Sequence, residues 1–315
     1  MSRRSALAVL AGVALLAVAA LALHPWHLYA PPGPRVVVGG GDAGGLARTE
    51  PAEEHIDGAA LERATTDVSA ARLQAFVVMR DNHLVFERYA RGVTGDSVID
   101  GGTFARVLVA LAAGLVSERG ALPPRALRGF DPEALREGIE SATSQRYEVY
   151  LSRELWSRLN AAPAWIALPA PGGPTPAQCC FHARVLDWMR VATLLVDDGR
   201  FEGKQLVPPD WVRRIARPVS ADLHHGFGVE LAAAAHGAEP FAADGVFFAR
   251  GPGRWRLWLV PSLRLAVLFG AQAPASAGPA PWDETRLPNL VIRAVSDGPQ
   301  PPGDATPLQR LVPGH

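Results

Sequence analysis

Apolar positions along this chain change their period from segment to segment, and those changes mark out its elements. Positions 5–23 form an uncharged run, mostly Ala, Val and Leu. Positions 57–71 carry the period of an amphipathic helix. Gln74-Ala-Phe-Val-Val-Met-Arg80 and His83-Leu-Val-Phe-Glu-Arg-Tyr-Ala90 are two extended runs around the turn pair Asp81-Asn82, which predicts a β-hairpin. Helices are predicted over 103–119, 131–143 and 147–159, the last from Tyr147, Tyr150, Leu151, Leu155 and Leu159 at helical spacing. The Pro- and Gly-rich stretch 161–181 reads as loop. A helix over 183–196 is stopped by Asp197-Asp198-Gly199, and Pro208-Pro209-Asp210 opens a short helix through Ile215. Strands follow at 227–231, 246–250, 255–260 and 265–270, then a helix at 286–296.

Two strands in front, helices in the middle, and strands with a helix at the end predict an α/β fold of the α+β kind. Its antiparallel sheet draws on both ends of the chain, and helices flank it. Trp255 and Trp258, an odd step apart, should face opposite sides of their strand. The expected organisation is an N-terminal membrane anchor or signal segment (1–29), a Pro/Gly linker (30–55), one domain (56–296) and a disordered tail (297–315).

Composition adds three constraints. With 315 residues, 48% apolar and 20% charged, the chain can bury a substantial core. Its formal net charge of zero excludes a general nucleic-acid field and strong attraction to acidic lipid. Arg3-Arg4 precede the uncharged run of 19 residues, with Trp26 and Tyr29 behind it. Such a run spans about 28 Å as a helix and fits a single-pass inner-membrane anchor, with the domain facing the periplasm. The alternative is a cleaved signal peptide and secretion, since Ala17-Val18-Ala19 and Ala20-Leu21-Ala22 both fit a cleavage site. The adjacent Cys179-Cys180 are expected to be buried and unbridged, because a disulfide between neighbours is strained.

The chemistry concentrates at Gly101-Gly102-Thr103-Phe104-Ala105-Arg106, directly before an apolar helix. A Ser-x-x-Lys at such a helix start is an acylation site, with the lysine one turn on and able to take the serine proton. Here those positions hold Thr103 and Arg106. An arginine side chain stays protonated, so Arg106 cannot serve as the base. The only lysine, Lys204, has Phe201 three residues before it. Ser-x-x-Lys chemistry is excluded by counting. Thr103 then reads as a helix N-cap, and Arg106 as an anion hook on a cleft floor or as a solvated or ion-paired residue. His182 and Asp187 lie near each other but without a Gly-x-Ser-x-Gly, and read as structural.

Longer blocks carry a resemblance. They are Tyr150-Leu-Ser-Arg-Glu-Leu-Trp156-Ser-Arg-Leu159, Cys179-Cys-Phe-His-Ala-Arg-Val-Leu-Asp187-Trp-Met-Arg190, and Leu194-Leu-Val-Asp-Asp-Gly199 through Pro208-Pro-Asp-Trp211. The last is Arg256-Leu-Trp-Leu-Val-Pro261-Ser-Leu-Arg-Leu-Ala-Val-Leu268. In order and spacing, residues 56–295 resemble the β-lactamase-related serine hydrolases, nearest the class C-like esterases and 6-aminohexanoate-dimer hydrolase. The resemblance implies that family's sheet order. It also places Thr103 and Arg106 at the positions of nucleophile and base. A second family motif, Tyr-x-Asn or a relative, is missing from the 43 residues between Thr103 and Tyr147, which implies a shortened helical subdomain and a shallow cleft. The third motif falls at Val246-Phe247-Phe248 without a gap, or at Ala249-Arg250-Gly251 with a shortened turn. The second placement makes Arg250 and Gly251 the ligand-binding positions.

Three function classes follow. One is a membrane-tethered, catalytically impaired relative that binds a small molecule, a cell-envelope ligand or a protein partner. The second is an esterase or amidase using non-standard residues, and the third a structural partner of an intact paralogue. No cofactor, metal or nucleic acid is expected.

Overall fold

The computed structural model describes residues 33–69, 73–117, 122, 127, 129–219, 221, 223–271 and 283–297. The expected anchor and almost all of the expected tail lie outside these residues. Among the described residues, no helix is long and apolar enough to cross a membrane.

The predicted hairpin is strands β2 (Leu73–Arg80) and β3 (His83–Tyr89). Asp81 and Asn82, both at positive φ (48° and 68°), make its turn. β2 also pairs antiparallel with β12 (Leu265–Ala271), so that Arg80 lies opposite Leu265 and Ala75 opposite Gly270. The sheet continues through β11 (Arg256–Val260), β10 (Phe247–Arg250) and the short β9 (Glu230–Leu231), in the order β3-β2-β12-β11-β10-β9. This is the antiparallel sheet built from both ends of the chain.

β2 reads as a continuous apolar run because both its faces are covered. Ala75, Val77 and Met79 join one core cluster, whereas Phe76 and Val78 join a second cluster with residues of helices α1 (Gly58–Ser69) and α7 (Arg286–Arg293). Trp255 and Trp258 divide the same way, one into each cluster.

Helix α2 (Ala105–Ser117) is apolar around its whole circumference and ten of its residues are buried, as expected of a helix surrounded by protein. Its neighbour α3 (Pro132–Thr143) starts at Asp131, whose carboxylate accepts from the Glu133 and Ala134 backbone N–H groups at 3.0 and 3.1 Å. Asp131→Ala should cost ~1 kcal/mol of stability in a denaturant titration, the usual loss of an N-cap.

Five predicted elements differ in the structure. Residues 35–55 do not form a free linker: β1 (Arg35–Val38) pairs with β5 (Ala164–Ala167), and Val38 is fully buried. The predicted loop 161–181 therefore contains a strand, and β6 (Phe181–Arg184) precedes helix α5 (Val185–Val196), shortening its predicted start. With β4 (Val98–Asp100) these strands form a second sheet, β1-β5-β6-β4. The predicted helix 147–159 begins as α4 (Tyr147–Leu151) and continues as a π turn and a 3-10 turn. The predicted strand 227–231 shrinks to Glu230–Leu231.

The cysteines also correct their expectation. Cys179 and Cys180 are joined by a disulfide, and both are only half-buried. Cys180 sits at a φ of 72°, in the left-handed region.

Candidate active site

β4 delivers the chain to the site. After Asp100, Gly101 packs on the face of Trp188, where a Cβ would lie 2.3 Å from Cζ2. Gly102 adopts a φ of 51°, and a Cβ there would meet Pro252 at 2.6 Å. Only glycine fits both the backbone and the space. Residues Gly102–Phe104 form a single 3-10 turn that runs into α2.

Thr103 is not the N-cap. It lies inside the 3-10 turn, whose N-cap position is Gly101, and just ahead of it the Asp100 Oδ1 accepts from the Gly102 N–H at 2.8 Å. The Thr103 hydroxyl instead donates to the backbone carbonyl of Arg250, the last residue of β10. Thr103 and Arg106 thus line one cavity of about 270 Å³ with Arg250, which is distant in sequence. Gly251 lies directly beyond, where a Cβ would meet Phe104 at 3.3 Å and the Gly101 carbonyl at 3.5 Å.

Apart from Ala249, the remaining walls come from residues the sequence did not single out. Phe130, just ahead of the α3 cap, contributes an aromatic face and packs edge-on against Phe227 with ring centroids 5.2 Å apart. Val219, Val229 and Ala249 add apolar surface, and His225 and Glu230 add polar groups. The turn Gly226–Gly228 closes against α2: a Cβ on Gly228, at a φ of 91°, would lie 2.8 Å from the Arg106 carbonyl.

The two guanidinium groups of the cavity differ in their surroundings. Arg250 pairs with Glu230 and, at 2.7 Å, with Glu284, and it donates to the Ala234 carbonyl at 2.9 Å. Glu284 in turn accepts from the buried Arg256 at 2.7 Å. Burial works against ionisation of Glu284, but hydrogen bonds from Arg250, the His236 N–H and Arg256 outweigh it and hold its carboxyl down at about 2. Arg106 has no such partner. Among the described residues no carboxylate pairs with it, and its Nε is enclosed without a hydrogen bond.

The other sequence candidates take structural roles. His182 stacks on Trp165 with centroids 5.5 Å apart, and its basicity is lowered by burial. Asp187 is buried against Arg190 at 3.3 Å and accepts from the Ala162 N–H at 3.2 Å. Burial pushes its carboxyl up to about 6 in spite of Arg190 and Arg184.

No family model matches the sequence, and no curated protein matches it closely. Solved structures do match. A protein assigned as a 6-aminohexanoate-dimer hydrolase from Bacillus anthracis superposes with a TM-score of 0.60 at 13% identity, covering 78% of this chain and 87% of its own. A penicillin-binding protein homologue from Caulobacter crescentus gives 0.56 at 14% identity, covering 80% and 99%. SurE in complex with D-Leu gives 0.55 at 19% identity, covering 82% and 80%. The chain has a β-lactamase-like fold.

Proposed function

We propose that this protein is a catalytically impaired member of the β-lactamase-related fold that binds a small ligand in the cleft where its relatives carry out acyl transfer. The observation that carries this reading is what surrounds the Thr103 hydroxyl. Its hydroxyl donates to a backbone carbonyl, and the residue one turn on is a guanidinium. An amide carbonyl is no base at neutral pH, and a guanidinium cannot accept a proton. A hydroxyl nucleophile needs an adjacent acceptor, and neither of these two groups is one. Arg250 offers no alternative, being held by Glu230 and Glu284.

Two further points support a binding role. The cavity combines apolar surface with a cation, and D-Leu, held by the similar SurE structure, combines an apolar side chain with a carboxylate. The uncharged run 5–23 behind Arg3-Arg4 supports export and tethering of the domain at a membrane, or secretion.

The experiment is direct. Incubated with nitrocefin, p-nitrophenyl esters, a fluorescent penicillin or a fluorophosphonate, the protein should show no turnover above buffer and no covalent label. Thr103→Ser combined with Arg106→Lys should remain ~10³-fold or more below an intact relative, since a constellation lacking its other members regains little. Ester turnover by the native protein that disappears in Thr103→Ala would make Thr103 a nucleophile and end the binding-only reading.

A further inference from the structure

We propose that the cavity is a site for a small apolar monocarboxylate, with Arg106 as its anchor. This names the ligand class for the binding role above and rests on that reading.

Charge comes first. Arg250 is neutralised within the protein by Glu230 and Glu284, whereas Arg106 lines the same cavity with no carboxylate partner among the described residues. Its Nε is shut off from solvent and makes no hydrogen bond. A guanidinium presents paired donors that match the two oxygens of a carboxylate, so the geometry favours that anion over a spherical one.

The walls set the rest of the ligand. Phe130, Val219, Val229 and Ala249 are apolar, so the carboxylate should carry a hydrocarbon group. A volume of about 270 Å³ has room for a molecule of amino-acid size. One surplus positive charge calls for one carboxylate. The Thr103 oxygen, whose proton is engaged with the Arg250 carbonyl, keeps lone pairs that can accept from a ligand N–H.

Isothermal titration of the full chain with isovalerate, its neutral amide isovaleramide and inorganic phosphate tests the proposal. Isovalerate should bind in the millimolar range or tighter, and isovaleramide about tenfold more weakly or worse, the usual worth of a charge-assisted hydrogen bond. Arg106→Gln should weaken isovalerate by a similar factor without lowering the melting temperature of the ligand-free protein, while Arg106→Lys should keep part of the affinity. Equal binding of acid and amide would overturn the proposal. So would phosphate binding as tight as isovalerate, unchanged affinity in Arg106→Gln, or no isovalerate binding at millimolar concentration. Ester turnover alongside Arg106-dependent isovalerate binding would reject the binding-only function and leave the carboxylate site standing. Absence of both turnover and isovalerate binding would reject the site alone.

Discussion

Replacing Glu284 with glutamine should destabilise the fold by about 3 kcal/mol near neutral pH, at the lower end of the range for breaking a buried ion pair. The side chain is 4% exposed and joins Arg250 to Arg256, itself 11% exposed. Losing its charge removes the carboxylate that faces the buried Arg256 Nε, whereas Arg250 retains Glu230. The depressed titration of Glu284 leads to the same magnitude. Its carboxyl is lowered from 4.5 to about 2, and each unit is worth about 1.4 kcal/mol. A depressed carboxyl stabilises the native state fully above the unfolded value, and that contribution is lost as pH falls through the folded one. The stability gap between the native protein and Glu284→Gln should thus be full above pH 4.5 and shrink toward pH 2. Denaturant titrations at several pH values measure it. A gap that stays constant as pH drops would show that Glu284 contributes by shape rather than by charge.

The second large effect is expected at Trp188. Its side chain is fully buried and meets Phe104 at 5.3 Å, Phe181 at 5.6 Å and Trp156 at 6.3 Å between ring centroids. Gly101 rests directly on its ring. Trp188→Ala should cost ~3–5 kcal/mol, through lost transfer energy and the cavity left behind. The damage should reach the site as well, because the same ring supports the backbone that presents Thr103. Trp188→Phe should cost far less: it keeps an aromatic ring and removes an indole N–H that has no hydrogen-bond partner. Thermal or denaturant unfolding of the two variants, compared with the native protein, separates these outcomes.

What the sequence revealed divides along physical lines. The hairpin at Asp81-Asn82, the strands around Arg256–Val260 and Leu265–Ala271, and the buried helix at Ala105–Ser117 were legible because their signals are local. Periodicity, turn residues and apolar runs speak for themselves within a few positions. β1 and β5 were not legible. Each is four residues long, lies beside prolines, and pairs with a partner far away in sequence. Thr103 sat at the right distance from the helix to cap it, but a 3-10 turn starts the helix earlier, at Gly102, and the hydroxyl reaches β10 instead. The site itself was half legible. Thr103, Arg106 and Arg250 could be named from motif positions, and the structure brings them to one cavity. Glu230 and Glu284 belong to no motif. Only the folded sheet shows that they occupy Arg250 and leave Arg106 as the unmatched cation.

The sheet order has a consequence for how the chain must assemble. β2, made near the start, has β12, made near the end, as its inner neighbour, and Arg80 also reaches Asp297 at 2.7 Å. Closing so long a loop costs little equilibrium stability, because the entropic penalty grows only logarithmically with length. Its burden falls on time. The hairpin can form early, but one edge of β2 stays unpaired until the last strand arrives, and non-local pairing of this kind slows folding. Until then the emerging chain displays Ala75-Phe76-Val77-Val78-Met79 as an open, hydrophobic edge. A chain cut short before Leu265 would keep that edge permanently, and aggregation rather than mere loss of activity would be the outcome.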